Sequence, residues 1–229
     1  MAKPFSKTVI HNTDAKLSKQ VRQPLKTNQG IHKALTWRVV DIAVGAAVGV
    51  MSGVMFWVFD GLSYGLFPLM TLILPGSAAL LHALFYFPAT LGSLIVHKPG
   101  ASAYVLLVAS FVEVVLGTKY SVSLVVIALL QAAAAEAVFA LFRYRRWTLG
   151  VTILSALAIG IVYNFYLLFF YYQAFTFFSP RGIIGTICEL LSAVAFAGFG
   201  SWGMYCALRK SGVLSRFASS HKEHNEENA

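Results

Sequence analysis

The 229-residue chain is 58% hydrophobic and only 12% charged, its mean hydropathy is +0.70, and its apolar residues are gathered in long runs. That composition excludes a soluble globular domain and a disordered chain, and points to an integral membrane protein. Basic residues outnumber acidic ones 18 to 9, but they collect at segment ends, so the excess reads as topology and attraction to lipid headgroups, with no nucleic-acid footprint.

Residues 1–36 form a basic arm, with Lys3, Lys7, Lys16, Lys19, Arg22, Lys26 and Lys33 and no apolar core of a cleaved signal, so the first span is expected to be retained. That span is predicted over Val39–Val58, stopped by Asp60 and Gly61. The stretch GLSYGLFPLMTLILPG, residues 61–76, is broken by Gly61, Gly65, Pro68, Pro75 and Gly76 and predicts a short helix or a re-entrant, surface-lying connection. A second span over Gly76–Val96, bent at Pro88, ends in the turn HKPG at 97–100.

Further spans are predicted over Ala101–Leu116, Val122–Phe142, Leu149–Tyr172 and Ile183–Leu208. The result is an all-α, polytopic fold: a six-helix membrane domain over 37–210 and a polar tail over 211–229. Six crossings put the arm, Lys98, Arg143, Arg145, Arg146, Arg209 and Lys210 on one face, which the positive-inside rule makes cytoplasmic together with both termini. The tail histidines His221 and His224 read as solvent-exposed, and Cys188 and Cys206, about 27 Å apart along a helix, read as core thiols.

Small residues recur every fourth position in the first span, as Gly45, Gly49 and Gly53 and, in a parallel row, Ala43 and Ala47. Such rows let another helix come close, whether from this chain or from another membrane subunit.

Ionisable groups in hydrocarbon normally face protein, water or a ligand. His82, Glu113, Asn164 and Glu189 fall in one depth band, which suggests an outward-opening cavity. Trp57, Tyr86, Tyr163, Tyr166 and Tyr171 lie on the same side, so carboxylates and aromatic walls together suit a flat, cationic, hydrogen-bonding solute. Each has a bland alternative: Trp57 and Tyr171 as interface aromatics, His82 as a packing residue, Asn164 as a helix-to-helix tie, Glu113 and Glu189 as structural acceptors. Gln131 sits near mid-membrane as a possible cavity floor, whereas Glu136 lies deeper and reads as a structural or coupling residue, paired with Arg143 or Arg145 or a partner helix. No nucleotide, metal or nucleophile motif appears, so neither catalysis nor a cofactor bound by this chain is expected.

The pieces WRVVDI in the first span, HKPGASA at 97–103, VEVVLG at 112–117, QAAAAEAVFALFRYRRW at 131–147 and SGVLSRFA at 211–218 resemble the YkoE-like substrate-specific components of energy-coupling factor (ECF) transporters. The resemblance implies six membrane helices in a bacterial cell membrane and capture of thiamine or its hydroxymethylpyrimidine precursor from outside. It also implies a transmembrane coupling subunit and two cytoplasmic ATPases that use ATP and Mg, with Gly45, Gly49 and Gly53 on the docking face. The sequence departs from the family pattern at Leu106 and Ala132, where an acid and a glycine are common. A membrane scaffold that docks helices without transport, and an intramembrane enzyme built on His82 and Glu113, are the alternative readings.

Overall fold

The computed structural model describes residues 36–118, 121–171 and 178–212. The chain divides into two units, Met1–Trp37 and Arg38–Ala229. The arm up to residue 35, Lys119, Tyr172 and the tail from residue 213 lie outside the described residues.

All regular structure among the described residues is helical: α1 (Val39–Ile73), a 3₁₀ segment (Ser77–Phe85), α2 (Phe87–Val96), α3 (Ala101–Val115), α4 (Ser121–Leu141), α5 (Leu149–Phe170), α6 (Pro180–Ser192), a π segment (Ala193–Gly200) and α7 (Ser201–Lys210). Five of the resulting continuous helical stretches are long and apolar enough to cross a membrane, and α3 is a shorter apolar helix. This is an all-α polytopic membrane fold.

The first span differs from expectation. α1 runs on through Asp60, Gly61 and Pro68 to Ile73, 35 residues in all, so residues 61–73 are neither a re-entrant loop nor a separate short helix. Intrahelical hydrogen bonds are the cheapest way to satisfy a backbone in an apolar medium, which outweighs the breaking tendency of isolated Gly and Pro. Asp60 and Ser63 do not stop the helix because both are buried in the interior of the bundle. At 1.5 Å per residue α1 is about 52 Å long, well beyond a roughly 30 Å hydrocarbon core.

The stretch from Ser77 to Val96 is the hub: 72% of its span is buried, against 22–39% for the other long stretches. Its polar backbone is satisfied from neighbouring helices, as a non-α segment at membrane depth requires. Ser192 Oγ of α6 donates to Leu80 O at 2.7 Å and accepts from Ala83 N at 3.3 Å, and in the opposite direction Ser77 Oγ donates to Met70 O of α1 at 2.8 Å. Pro88 falls in the first turn of α2, where its missing N–H costs nothing, so the expected bend becomes the junction at Tyr86. The last stretch is likewise interrupted, and Thr90 Oγ1, 2.8 Å from Ala197 O and from Ser201 Oγ, ties α2 to the π segment and α7.

α1 lies against α3, α3 against α4, α4 against α5, and α6 against the 3₁₀ segment. The glycine row makes the first of these contacts. A Cβ on Gly45 would stand 2.9 Å from the Tyr104 ring, one on Gly49 2.7 Å from Val108 Cβ, and one on Gly53 2.5 Å from Ala109 O. Gly45, Gly49 and Gly53 therefore pack α1 on this chain's own α3 and are not an open docking face. Ala43 and Ala47 remain exposed, beside the 75% exposed Met51.

Candidate solute-binding cavity

A cavity of about 260 Å³ opens between α1, the 3₁₀ segment, α3, α4 and α5. Each helix contributes a stripe at spacings of three and four: Phe56, Asp60, Ser63 and Phe67 from α1, Leu106, Ser110 and Glu113 from α3, and Leu124, Ile127, Ala128 and Gln131 from α4. α5 adds Tyr163, Tyr166, Leu167 and Tyr171, and the 3₁₀ segment adds His82 and Phe85. The cavity lies just under the roughly 300–1,000 Å³ range of ligand pockets, a size for a solute of one or two rings.

Of the residues singled out from the sequence, the cavity gathers His82, Glu113, Gln131, Tyr163, Tyr166 and Tyr171. Glu113 and Gln131 are only 2% and 4% exposed, and neither carboxylate nor amide has a hydrogen-bond partner among the described residues. Buried polar side chains are nearly always satisfied, so these two are set to meet water or a solute. Asp60, expected from the sequence to stop the first span, faces the same space and accepts from Thr118 Oγ1 at 3.3 Å. Its signal was present in the sequence as the 4, 3, 4 spacing from Phe56 to Phe67.

His82 is held from behind. Its Nδ1 donates to Glu189 Oε2 at 2.5 Å, and Tyr86 Oη donates to Glu189 Oε1 at 2.8 Å. Phe67 and Tyr163 meet the imidazole edge-on, at centroid distances of 5.7 and 5.2 Å. The buried Glu189 and Tyr86 therefore lie behind the cavity and fix the histidine that lines it, in the manner of an outer partner that sets tautomer and ring orientation. Glu189→Gln keeps one acceptor but loses the charge, and is expected to cost about 1–3 kcal/mol of stability. Thermal unfolding in detergent measures this, and an unchanged midpoint would remove the supporting role.

Two residues fall elsewhere. Trp57 is 44% exposed and does not line the cavity, because its neighbour Phe56, 3% exposed, occupies the inward direction. Asn164 donates to Thr186 Oγ1 at 2.9 Å, joining α5 to α6 beside a smaller cavity of about 50 Å³.

Glu136 has a structural task at the opposite end of α4. It accepts from Gly100 N at 3.0 Å, from Ser102 N at 2.9 Å and from Tyr144 Oη at 2.7 Å, so a carboxylate from one helix caps the N-terminus of α3 where the macrodipole is positive. The α4–α5 turn brings Tyr144 back by placing Arg143 and Tyr144 at φ 55 and 52, which is why Tyr144, and neither Arg143 nor Arg145, meets the acid. Burial pushes the Tyr144 phenol above its usual value, and the bond to Glu136 adds to this. Beside it, His97 packs on Trp147 at 4.5 Å between centroids, and burial, helped by Lys98, pushes its imidazole down. Glu136→Gln is expected to cost about 1–2 kcal/mol of stability while leaving solute affinity within about twofold, readable by paired unfolding and calorimetry.

A family profile described as the permease component of an ABC-type cobalt transport system matches residues 40–162, more than half of the chain. The chain belongs to that family. The matched span runs from α1 into α5 and takes in His82, Glu113 and Gln131. The putative HMP/thiamine permease protein YkoE of Bacillus subtilis (strain 168) is 23% identical over 184 residues, which are 80% of this chain and 90% of the relative. A crystal structure of an S-component of an ECF transporter superposes with a TM-score of 0.71 at 21% identity, covering 85% of this chain and 99% of the other. The fold of this multi-pass membrane protein is thus the S-component fold.

Proposed function

We propose that this chain is the solute-capturing subunit of an ECF-type importer, and that its cavity takes thiamine or its hydroxymethylpyrimidine precursor from outside the cell membrane. The observation that carries the reading is the unpartnered Glu113 and Gln131, buried in an aromatic-walled cavity of the right size. A carboxylate offers charge pairing to a thiazolium, the amide and His82 offer hydrogen bonds to an aminopyrimidine, and Tyr163, Tyr166 and Phe67 offer ring faces and edges. The name of the Bacillus relative supports the same solute class. The chain performs no catalysis in this scheme: a coupling subunit and two ATPases supply the energy, and both termini face the cytoplasm with them.

The family description names cobalt as cargo. The donor set fits an organic cation better, since Nδ1 of His82 is engaged by Glu189 and no three His, Cys, Asp or Glu side chains converge as metal ligands among the described residues. The scaffold reading keeps one observation, the exposed Ala43 and Ala47 on α1, and in an importer that row is where the coupling subunit docks.

Thermal unfolding of the purified chain with thiamine, the pyrimidine or Co²⁺ tests the reading, because a ligand that binds only the folded state raises the midpoint. Stabilisation by either organic solute is expected; stabilisation by Co²⁺ alone would sink the proposal. Recovery of an ATPase pair with the tagged chain, lost in Ala47→Leu while solute binding persists, is the expected sign of the importer assembly.

A further inference from the structure

The acidic wall of the cavity is unbalanced. Among the described lining residues α1 supplies Asp60, α3 supplies Glu113, the 3₁₀ segment supplies His82, and α5 supplies the phenols of Tyr163, Tyr166 and Tyr171; α4 supplies Ser123 and Gln131, and no lysine or arginine lines the space. His82 is already hydrogen-bonded through Nδ1 to Glu189 on its far side. Asp60 and Glu113, at 7% and 2% exposure, thus share one small cavity in which no lysine or arginine among the described residues answers either of them. A neutral solute that fills the cavity displaces water and leaves both acids facing an apolar, uncharged surface, whereas a cation between them removes that cost. Selection of this kind works by penalising the wrong solute as much as by rewarding the right one.

We propose that Asp60 is a specificity-determining residue: with Glu113 it forms a two-carboxylate wall that selects a solute bearing a fixed positive charge over an uncharged solute of the same shape. The inference rests on the capture function proposed above and adds to it which solute the cavity prefers and which residue decides. Asp60 is suited to the role because, among the described residues, its carboxylate accepts from the hydroxyl of Thr118 at 3.3 Å, which orients it without neutralising it. Gln131, at the far end of the lining stripe of α4, remains available to the uncharged part of the solute.

The test is calorimetric titration of the full chain with thiamine, with the uncharged analogue in which a thiophene replaces the thiazolium, and with the hydroxymethylpyrimidine. The unsubstituted protein is expected to bind thiamine about tenfold or more tighter than the thiophene analogue. Asp60→Asn is expected to weaken thiamine about tenfold and leave the analogue within about twofold, so that the preference collapses; Asp60→Glu restores it, and Thr118→Val, which removes the hydroxyl and keeps the charge, retains it. Equal losses for both solutes in Asp60→Asn, or an undiminished preference, overturn the inference. If the unsubstituted protein binds the analogue or the pyrimidine as tightly as thiamine, capture stands and the selection by charge falls. If it binds none of the three, the capture function itself fails and takes this inference with it.

Discussion

Gly53→Leu is expected to prevent the chain from reaching its folded state, seen as loss of the monodisperse peak in detergent. A Cβ at position 53 would meet Ala109 O at 2.5 Å and Val112 Cβ at 2.7 Å. Both obstacles belong to the backbone or to its first side-chain atom, so no rotamer change relieves them, and α1 must move away from α3 along its length. Overpacking a core typically costs about 1–3 kcal/mol; a leucine against rigid atoms here should exceed about 3 kcal/mol, a large share of the roughly 5–15 kcal/mol that holds a domain together. The three glycines should grade. Gly45→Ala presses on the ring of Tyr104 at 2.9 Å, which can turn aside, so it should be the mildest; Gly49→Ala meets Val108 Cβ at 2.7 Å and should fall between. Were the row a docking face, Gly53→Leu would fold, keep its solute and lose only its partners, and that outcome would refute the packing assignment.

The contrast shows where the sequence is ambiguous. Period-four glycines say that something approaches α1 closely, because packing between helices in lipid depends on small residues, but they do not say whether the approaching helix belongs to the same chain. Adjacent rows resolve it only in three dimensions: Gly49 is buried while Ala47, two residues earlier, is exposed. Span positions were more legible. Hydropathy located α3, α4 and α5 to within a residue or two at each end, since long apolar runs between polar turns leave a helix few alternatives. The same reasoning misread residues 61–73, because the breaking tendency of Gly and Pro measured in water is a poor guide where every unbonded backbone group costs several kcal/mol.

The candidate site divides in the same way. Residue type and depth identified Glu113, Gln131, His82 and Tyr163, all of which line the cavity, because a polar side chain in hydrocarbon must face inward. Depth alone could not tell lining from support. Glu189 and His82 fall in one band, yet the acid stands behind the imidazole and the imidazole faces the space; this depends on the pairing of residues 107 positions apart. Asp60 was missed for a different reason, the assumption that an Asp-Gly pair ends a span.

Glu113→Gln separates recognition from architecture most sharply. The carboxylate has no hydrogen-bond partner among the described residues, so an isosteric amide removes the charge without breaking a protein contact, and stability should hold or rise slightly. Thiamine, which loses a buried charge partner, should bind about a hundredfold more weakly, about 2.7 kcal/mol. Glu136→Gln should give the reverse pattern, because its carboxylate carries three protein hydrogen bonds, two to backbone N–H groups of the 100–102 turn and one to Tyr144, and does not line the cavity. The two acids lie on neighbouring helices, α3 and α4, so a general loosening of the α3–α4 pair would move stability and affinity together in both variants. Opposite patterns in the two variants exclude that, whereas a Glu113→Gln protein that unfolds early and still binds thiamine at full strength would assign Glu113 to structure and leave the cavity without its principal charge.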